Sequence, residues 1–274
     1  MIRDITFGQY VETDSPIHKI DPRTKIVLLI ATIVYIFSAN NFISLFAVAA
    51  FIIITALLSK VPFKLYFKNL KAVLFIVAFT AILNILYTHS GKILFSFWKI
   101  EVTTGGLYTA AYLSLRIVLL ITVSSVLTYT TTPNDLTDAI ERLCLPLKLI
   151  GLSNAVHTMA LMMTIALRFI PTLVEETEKI MNAQKARGAD LETGSLGKRI
   201  KALVPILIPL FISAVRRSYE LADAMECRCY NGGKGRQRMK TLKMGINDLF
   251  AFLASGVLCA AVIILNIFME VGRI

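Results

Sequence analysis

Residues 107–135 read LYTAAYLSLRIVLLITVSSVLTYTTTPND, and the change of character at Thr132 decides the fold. Positions 107–130 carry one charge, Arg116, and form a run long enough to cross a bilayer, which takes roughly 17 to 25 apolar helical residues. The last four positions begin a different kind of helix. Thr132 stands as N-cap, Pro133 takes the first helical position, and Asp135 follows three residues after the cap, where it can bond back to it. A membrane run therefore hands over to an amphipathic helix. Its apolar stripe is Leu136, Ile140, Leu143, Leu147 and Ile150, with Asp138, Glu141 and Arg142 off the stripe. Pro146 is expected to kink this helix and Gly151 to end it.

Working outward, runs of the same kind occur at 26–39, 42–58, 72–87 and 249–268. Apolar residues make up 56% of the 274 positions and charged residues 17%, with a mean hydropathy of +0.68. A soluble fold has no interior large enough to hide that surface. The expected fold is all-α, a polytopic membrane protein with about five transmembrane helices plus cytoplasmic helices. The first run is short: either Lys25 snorkels, or the run forms a re-entrant pair with the second across Asn40 and Asn41. Arg116 is expected to face protein or water rather than lipid, as a packing or gating contact.

Orientation follows from the basic residues. Arg3, Lys19, Arg23 and Lys25 precede the first run, and Lys60, Lys64, Lys68 and Lys71 fill the link after the second, so both segments are expected on the inner side. Residues 1–21 are polar and lack the apolar core of a signal peptide. The N-terminus and residues 131–244 are then expected in the cytoplasm, giving three segments: membrane helices in 1–130, a cytoplasmic helical domain in 131–244, and a last membrane helix in 245–274. The net charge of +11 is accounted for by this topology rather than by nucleic-acid binding, because basic residues in 131–243 alternate with Glu and Asp. The cluster Lys234, Arg236, Arg238, Lys240 and Lys243 precedes the last run, where the bilayer's anionic headgroups are the simplest partner. Of the four cysteines, Cys144, Cys227 and Cys229 fall on the reducing side and Cys259 in a membrane run, so no disulfide framework is expected. Cys227 and Cys229 have no nearby histidine, and no metal site is assigned.

The cytoplasmic stretch contains two helical units that end alike. An apolar stretch, 152–171, holds His157 and Arg168 and leads into a polar helix over 172–187, closed by Gly188 at the C-terminal cap. A second apolar stretch, 203–215, is interrupted by Pro205 and Pro209 and is followed by a helix over 216–230 that ends at Asn231-Gly232-Gly233. If either apolar stretch enters the bilayer, the number of spans shifts by one. Counting back from Arg187 gives Ala186, Gln184, Ala183 and Ile180; counting back from Arg228 gives Cys227, Met225, Ala224 and Leu221. Seven residues is about two helical turns, so each arginine shares a face with its own stripe. A small residue beside an arginine lets another surface approach closely, and a planar guanidinium can pair with a carboxylate. The other reading is a solvated arginine at a helix C-terminus, favourable for the helix dipole.

Catalytic machinery is missing. The passage Gly194-Ser195-Leu196-Gly197-Lys198-Arg199 has the wrong spacing for a phosphate loop and ends in arginine where a magnesium-binding hydroxyl should stand. His18, His89 and His157 are far apart, and no nucleophile–base pairing stands out. No cofactor is expected.

The residues resemble the transmembrane T component of energy-coupling-factor (ECF) transporters, an EcfT-like family, along nearly the whole chain. Phe7-Gly8-Gln9-Tyr10 and residues 14–25, from Asp14-Ser15-Pro16 to Asp21-Pro22-Arg23-Thr24-Lys25, look like the family's opening. Thr132-Pro133, Ile140-Glu141-Arg142-Leu143 and Leu167-Arg168-Phe169-Ile170-Pro171 look like its middle. Ala186-Arg187-Gly188 and Cys227-Arg228-Cys229 are similar to the paired Ala-Arg-Gly signatures that end the family's two coupling helices. The resemblance implies a non-catalytic subunit of a prokaryotic cell membrane importer. It implies that Arg187 and Arg228, with Ala186, Gly188, Cys227 and Cys229, dock into two ABC ATPase subunits of A and A' type. It also implies that the coupling-helix faces bearing Ile180, Ala183, Leu221, Ala224 and Met225 turn toward partners, among them a substrate-binding S component that takes up a vitamin or similar micronutrient. The alternatives are a T component of a cobalt or nickel ECF importer and the permease domain of a conventional ABC importer. One departure stands out: Cys229 lacks the conformational freedom of the glycine usual in the second signature.

Overall fold

The computed structural model describes residues 10–88, 92–97, 100–146, 153–189, 195–231 and 244–268. Its helices are α1 (Pro22–Ser38), α2 (Phe42–Leu58), α3 (Phe63–Tyr87), α4 (Thr104–Thr130), α5 (Pro133–Leu143), α6 (Ser153–Ala186), α7 (Leu196–Cys227) and α8 (Ile246–Phe268). The protein is a polytopic, essentially all-α membrane protein. Among the described residues the one exception is an antiparallel hairpin between α3 and α4, β1 (Ile93–Phe97) and β2 (Ile100–Thr103), which the sequence reading did not anticipate. The chain divides into two compact units, one of residues 8–136 and 241–274, the other of residues 137–240.

The first unit is a bundle of α1 to α4 and α8. Ile36, Leu45, Val48, Ile52, Tyr112, Val123 and Val262 form its main core, and Val61, Tyr66, Val126 and Tyr129 a second cluster. Its outer face is apolar, with Phe67, Phe75, Val257 and Phe268 all exposed, the inverse of a soluble protein's surface. Among the described residues four helices qualify by length and composition to cross a membrane: α3, α4, Ala155–Ala186 within α6, and α8. The apolar α2 is shorter. Three of the five expected runs are thus of spanning length. Lys64, Lys68 and Lys71, expected in a link, lie instead on the first turns of α3.

Asp21 caps α1, its carboxylate accepting from the Arg23 amide at 2.9 Å, with Pro22 in the first turn where no amide is needed. Asp248 on α8 accepts from the Asp21 amide at 2.8 Å and from the Gly245 amide at 2.6 Å, so one carboxylate joins the starts of two helices. Lys25 does not snorkel to water. It is buried and donates to the Thr130 carbonyl at 2.7 Å, placing an ammonium at the C-terminus of α4, where the helix dipole favours it.

The other end of α1 is closed by side chains. Arg116 donates to the Ala39 carbonyl at 3.1 Å and to the Tyr112 hydroxyl at 2.8 Å, and Tyr112 also donates to that carbonyl. The guanidinium lies 5.5 Å from the Phe37 ring centroid and 4.7 Å from that of Tyr112. Arg116 is therefore a packing contact. Asn266 on α8 accepts from the Asn40 amide at 3.3 Å and the Ser44 hydroxyl at 2.8 Å, and donates to the Ser38 carbonyl at 2.7 Å. Both α1 and α2 have 17 residues, about 25 Å of helix, against about 40 Å for α4. In their turn the Ala39 and Ser38 carbonyls and the Asn40 amide are bonded by side chains of α4 and α8, as backbone at membrane depth requires.

The second unit corrects four expectations. The amphipathic helix α5 stops at Leu143 and gives way to a turn at Cys144 and a 3-10 stretch at Leu145 and Pro146, where proline has no amide to continue an α-helical ladder. Leu147, Ile150 and Gly151 lie outside the described residues. Pro171 does not separate an apolar stretch from a polar helix, since α6 is continuous through it. Nor do Pro205 and Pro209 break α7, which runs as one helix from Leu196. All three prolines are exposed. Each removes one backbone bond, and a spacing of four puts the two in α7 on one side of the helix. The helix expected to reach Tyr230 ends at Cys227. Gly232, Gly233, Gly194, His89, residues 7–9 and the basic cluster 234–243 also lie outside the described residues.

Candidate functional site

α6 and α7 pack against each other through one carboxylate. Glu176 on α6 accepts from Arg217 Nη2 at 2.8 Å, and its other oxygen accepts from the Ser213 hydroxyl on α7. Sequence reading missed this contact. The signal was present in the spacing, because Glu176 lies eleven residues before Arg187 and Arg217 eleven before Arg228. Each arginine is thus about 16 Å along its own helix from the shared contact. Nearer the start of α6, His157 Nδ1 meets the buried Glu141 carboxylate of α5 at 2.7 Å.

The two helix ends have the same backbone construction. In the first, the Gly188 amide donates to Lys185 O at 3.0 Å and the Ala189 amide to Gln184 O at 3.0 Å. In the second, the Cys229 amide donates to Glu226 O at 2.8 Å and the Tyr230 amide to Met225 O at 3.0 Å. Both are Schellman endings, in which the residue after the C-cap turns left-handed and two carbonyls of the last turn are satisfied. Gly188 has φ 84° and Cys229 φ 55°. The cysteine therefore takes the conformation that glycine takes in the first copy, at a steric cost of about 1 kcal/mol. Departure from glycine does not alter the ending.

This construction places Arg187 and Arg228 at equivalent C-cap positions, both exposed. Among the described residues neither guanidinium makes a hydrogen bond or ion pair. Ala183, Ala186, Gly188, Ala224, Cys227 and Cys229 are exposed around them, while Ile180, Leu221 and Met225 are half-buried. Each helix end thus offers a bare cation on a low surface of small residues, free to accept an acidic or carbonyl-rich groove. The four cysteines are free thiols, and among the described residues no group of three metal-binding side chains comes together.

The family described as CbiQ, cobalt transport protein, matches residues 13–241. An energy-coupling factor transporter transmembrane protein EcfT of Clostridium kluyveri is 52% identical over 265 residues, 96% of each chain. The protein of that name from Ruminiclostridium cellulolyticum is 51% identical over 243 residues, covering 89% of this chain and 90% of its own. That of Bacillus subtilis is 44% identical over 266 residues, 97% of this chain and 100% of its own. Spread over membrane bundle and paired helices alike, this similarity assigns the chain to the EcfT family, the transmembrane T components of energy-coupling factor transporters.

Proposed function

We propose that this chain is the non-catalytic coupling subunit of an ECF importer, passing movement from two ATPase subunits, A and A' type, to a membrane-embedded S component that binds the substrate. The observation that carries the reading is the pair of equivalent helix ends, each with an exposed arginine at its C-cap. Arg187 and Arg228 dock one ATPase each, and the stripes around Ile180, Ala183, Leu221, Ala224 and Met225 face partners. With the N-terminus and residues 131–244 on the cytoplasmic side, both arginines meet soluble ATPases.

Equal arms on either side of the Glu176–Arg217 contact suit a lever. When the ATPases close on ATP, the arginines move together and the opposite portions of α6 and α7 rearrange against the S component, a two-state device in which each partner contacts the two states differently. The cargo is a vitamin or similar micronutrient. A cobalt or nickel importer is the second reading, favoured by the matching family's description.

The test is co-purification of the tagged chain with its ATPase subunits from membranes, comparing wild type, Arg187→Glu, Arg228→Glu and the double reversal. Loss of both ATPases in the double variant, with the chain still folded in the membrane, supports docking. Unchanged recovery identifies the arginines as solvated helix ends and overturns the reading.

A further inference from the structure

Helix α3 meets its neighbour α4 along one line. Asn69 donates to the Ser125 hydroxyl of α4 at 3.2 Å, and the Tyr66 ring packs edge-on against that of Tyr129 with 5.4 Å between centroids. At 3.6 residues per turn, Lys64, Lys68, Lys71, Phe75, Phe79 and Ile82 fall within about 80° of arc on the opposite side of the helix. All six are exposed. The stripe changes character once along its length, from cations to apolar groups, and the Phe75 and Phe79 rings stack with 6.5 Å between centroids.

The lysines do not serve the helix that carries them. α3 contains no acidic residue, and among the described residues none of the three ammonium groups makes a hydrogen bond or ion pair. Lys64 and Lys68 are four residues apart, Lys68 and Lys71 three, so they repel one another across adjacent turns. Lys64 also sits in the first turn, at the positive end of the helix dipole. Nothing within α3 offsets this repulsion, whereas one external anion shared by the three lysines turns it into attraction.

We infer that this stripe binds an anionic phospholipid, with the phosphodiester headgroup on Lys64, Lys68 and Lys71 and an acyl chain along Phe75, Phe79 and Ile82. The dimensions match. Lys64 to Lys71 covers about 10 Å of helix, and lysine stems that snorkel toward water bring the three charges into the headgroup zone. Lys71 to Ile82 covers about 16 Å, one leaflet's share of a hydrocarbon core about 30 Å thick. Charge selects the kind of lipid: a zwitterionic headgroup brings a cation of its own to a place that already holds three, and an anionic one does not. The apolar continuation selects lipid over an acidic protein segment, which would satisfy the lysines but has no use for a leaflet-deep apolar line below them. This site is independent of the coupling reading.

The test uses the full chain with its partner subunits in phosphatidylcholine vesicles doped with either phosphatidylglycerol or phosphatidylcholine carrying the same photoreactive diazirine on one acyl chain. After irradiation, adducts on Phe75 and Phe79 are quantified by peptide mass spectrometry. Labelled phosphatidylglycerol is expected to give about fivefold more adduct than labelled phosphatidylcholine. The combined variant Lys64→Gln, Lys68→Gln, Lys71→Gln should bring that ratio to about one and leave the phosphatidylcholine yield unchanged, which reports that α3 is still in place. The corresponding Lys64→Arg, Lys68→Arg, Lys71→Arg variant should keep the preference. A ratio near unity in the wild type overturns the inference, and so does a preference that survives in the glutamine variant. Loss of a partner subunit from the glutamine variant, with no lipid preference in the wild type, assigns the lysines to an acidic protein surface and overturns it as well.

Discussion

Glu176 and Arg217, 2.8 Å apart between α6 and α7, stand at the same distance from the arginines that end their respective helices. Their side chains are 20% and 35% exposed, so solvent screens the pair and its direct worth is modest. Arg217→Ala is expected to lower stability by about 1 kcal/mol. Combining Glu176→Arg with Arg217→Glu should recover part of the loss of either single reversal, which a double-mutant cycle on thermal unfolding measures. No recovery in the exchanged pair means that the contact is incidental to packing.

The two Schellman endings make opposite predictions for the same substitution chemistry. Gly188→Ala puts a Cβ where nothing lies within 4 Å, so the only penalty is the left-handed backbone, about 1 kcal/mol. Cys229→Gly relieves that strain and should stabilise by a fraction of it, because glycine also loosens the unfolded chain. Thermal midpoints of the two variants are expected to move in opposite directions from wild type.

Arg116 closes the C-terminus of α1 with a planar cation over the rings of Tyr112 and Phe37, 4.7 and 5.5 Å from their centroids. Arg116→Met leaves Tyr112 alone on the Ala39 carbonyl and should cost about 2 kcal/mol. Arg116→Lys should rescue little, since an ammonium reaches neither ring as a plane nor both oxygens at once. A lysine variant with wild-type unfolding behaviour refutes the stacked-cap account.

His18 sits outside the membrane helices, between the Val11 carbonyl at 2.9 Å from Nε2 and the Ser15 hydroxyl at 2.7 Å from Nδ1. A carbonyl only accepts, so Nε2 carries the proton and Nδ1 accepts from Ser15. Burial, with the Lys25 charge adding to it, lowers the imidazole pKa from its usual 6.5. The unfolded chain therefore binds a proton that the folded one refuses, and stability falls as pH drops below about 6.5 toward the lowered folded value. Above 6.5 the contribution is complete. His18→Gln should flatten that slope in unfolding measured from pH 7.5 to about 5; an unchanged slope assigns the acid sensitivity elsewhere.

Local chemistry made some elements readable and hid others. Thr132 and Asp135 form the reciprocal contact their spacing announces, at 2.9 Å between side chains and 3.2 Å to the Asp135 amide. Gly188 turns left-handed as a cap glycine should. The prolines misled because their penalty is local, whereas the continuity of α6 and α7 is decided by packing along two long helices. In the sequence Lys25 reads as a snorkelling residue beside a membrane run and Arg116 as an interruption of one; their partners, Thr130 O and Ala39 O, are backbone carbonyls at helix ends, and no side-chain pattern reports a carbonyl. Arg187 and Arg228 stand out in the sequence because the chain presents the same helix ending twice. Glu176 and Arg217 escaped notice, since each is ordinary until both are counted from their own helix ends.

The part played by α8 bears on how the chain is assembled. Asp248 holds the start of α1, and Asn266 satisfies the turn that follows it, so the first of the described helices is held at both ends by the last of them. Until α8 enters the bilayer, the Asn40 amide and the Ser38 carbonyl lack their bonds to Asn266. The bonds that close the first hairpin thus depend on a residue that follows α5, α6 and α7 in the chain. Truncation anywhere before Asn266 therefore leaves the first hairpin, not only the last helix, without part of its hydrogen bonding.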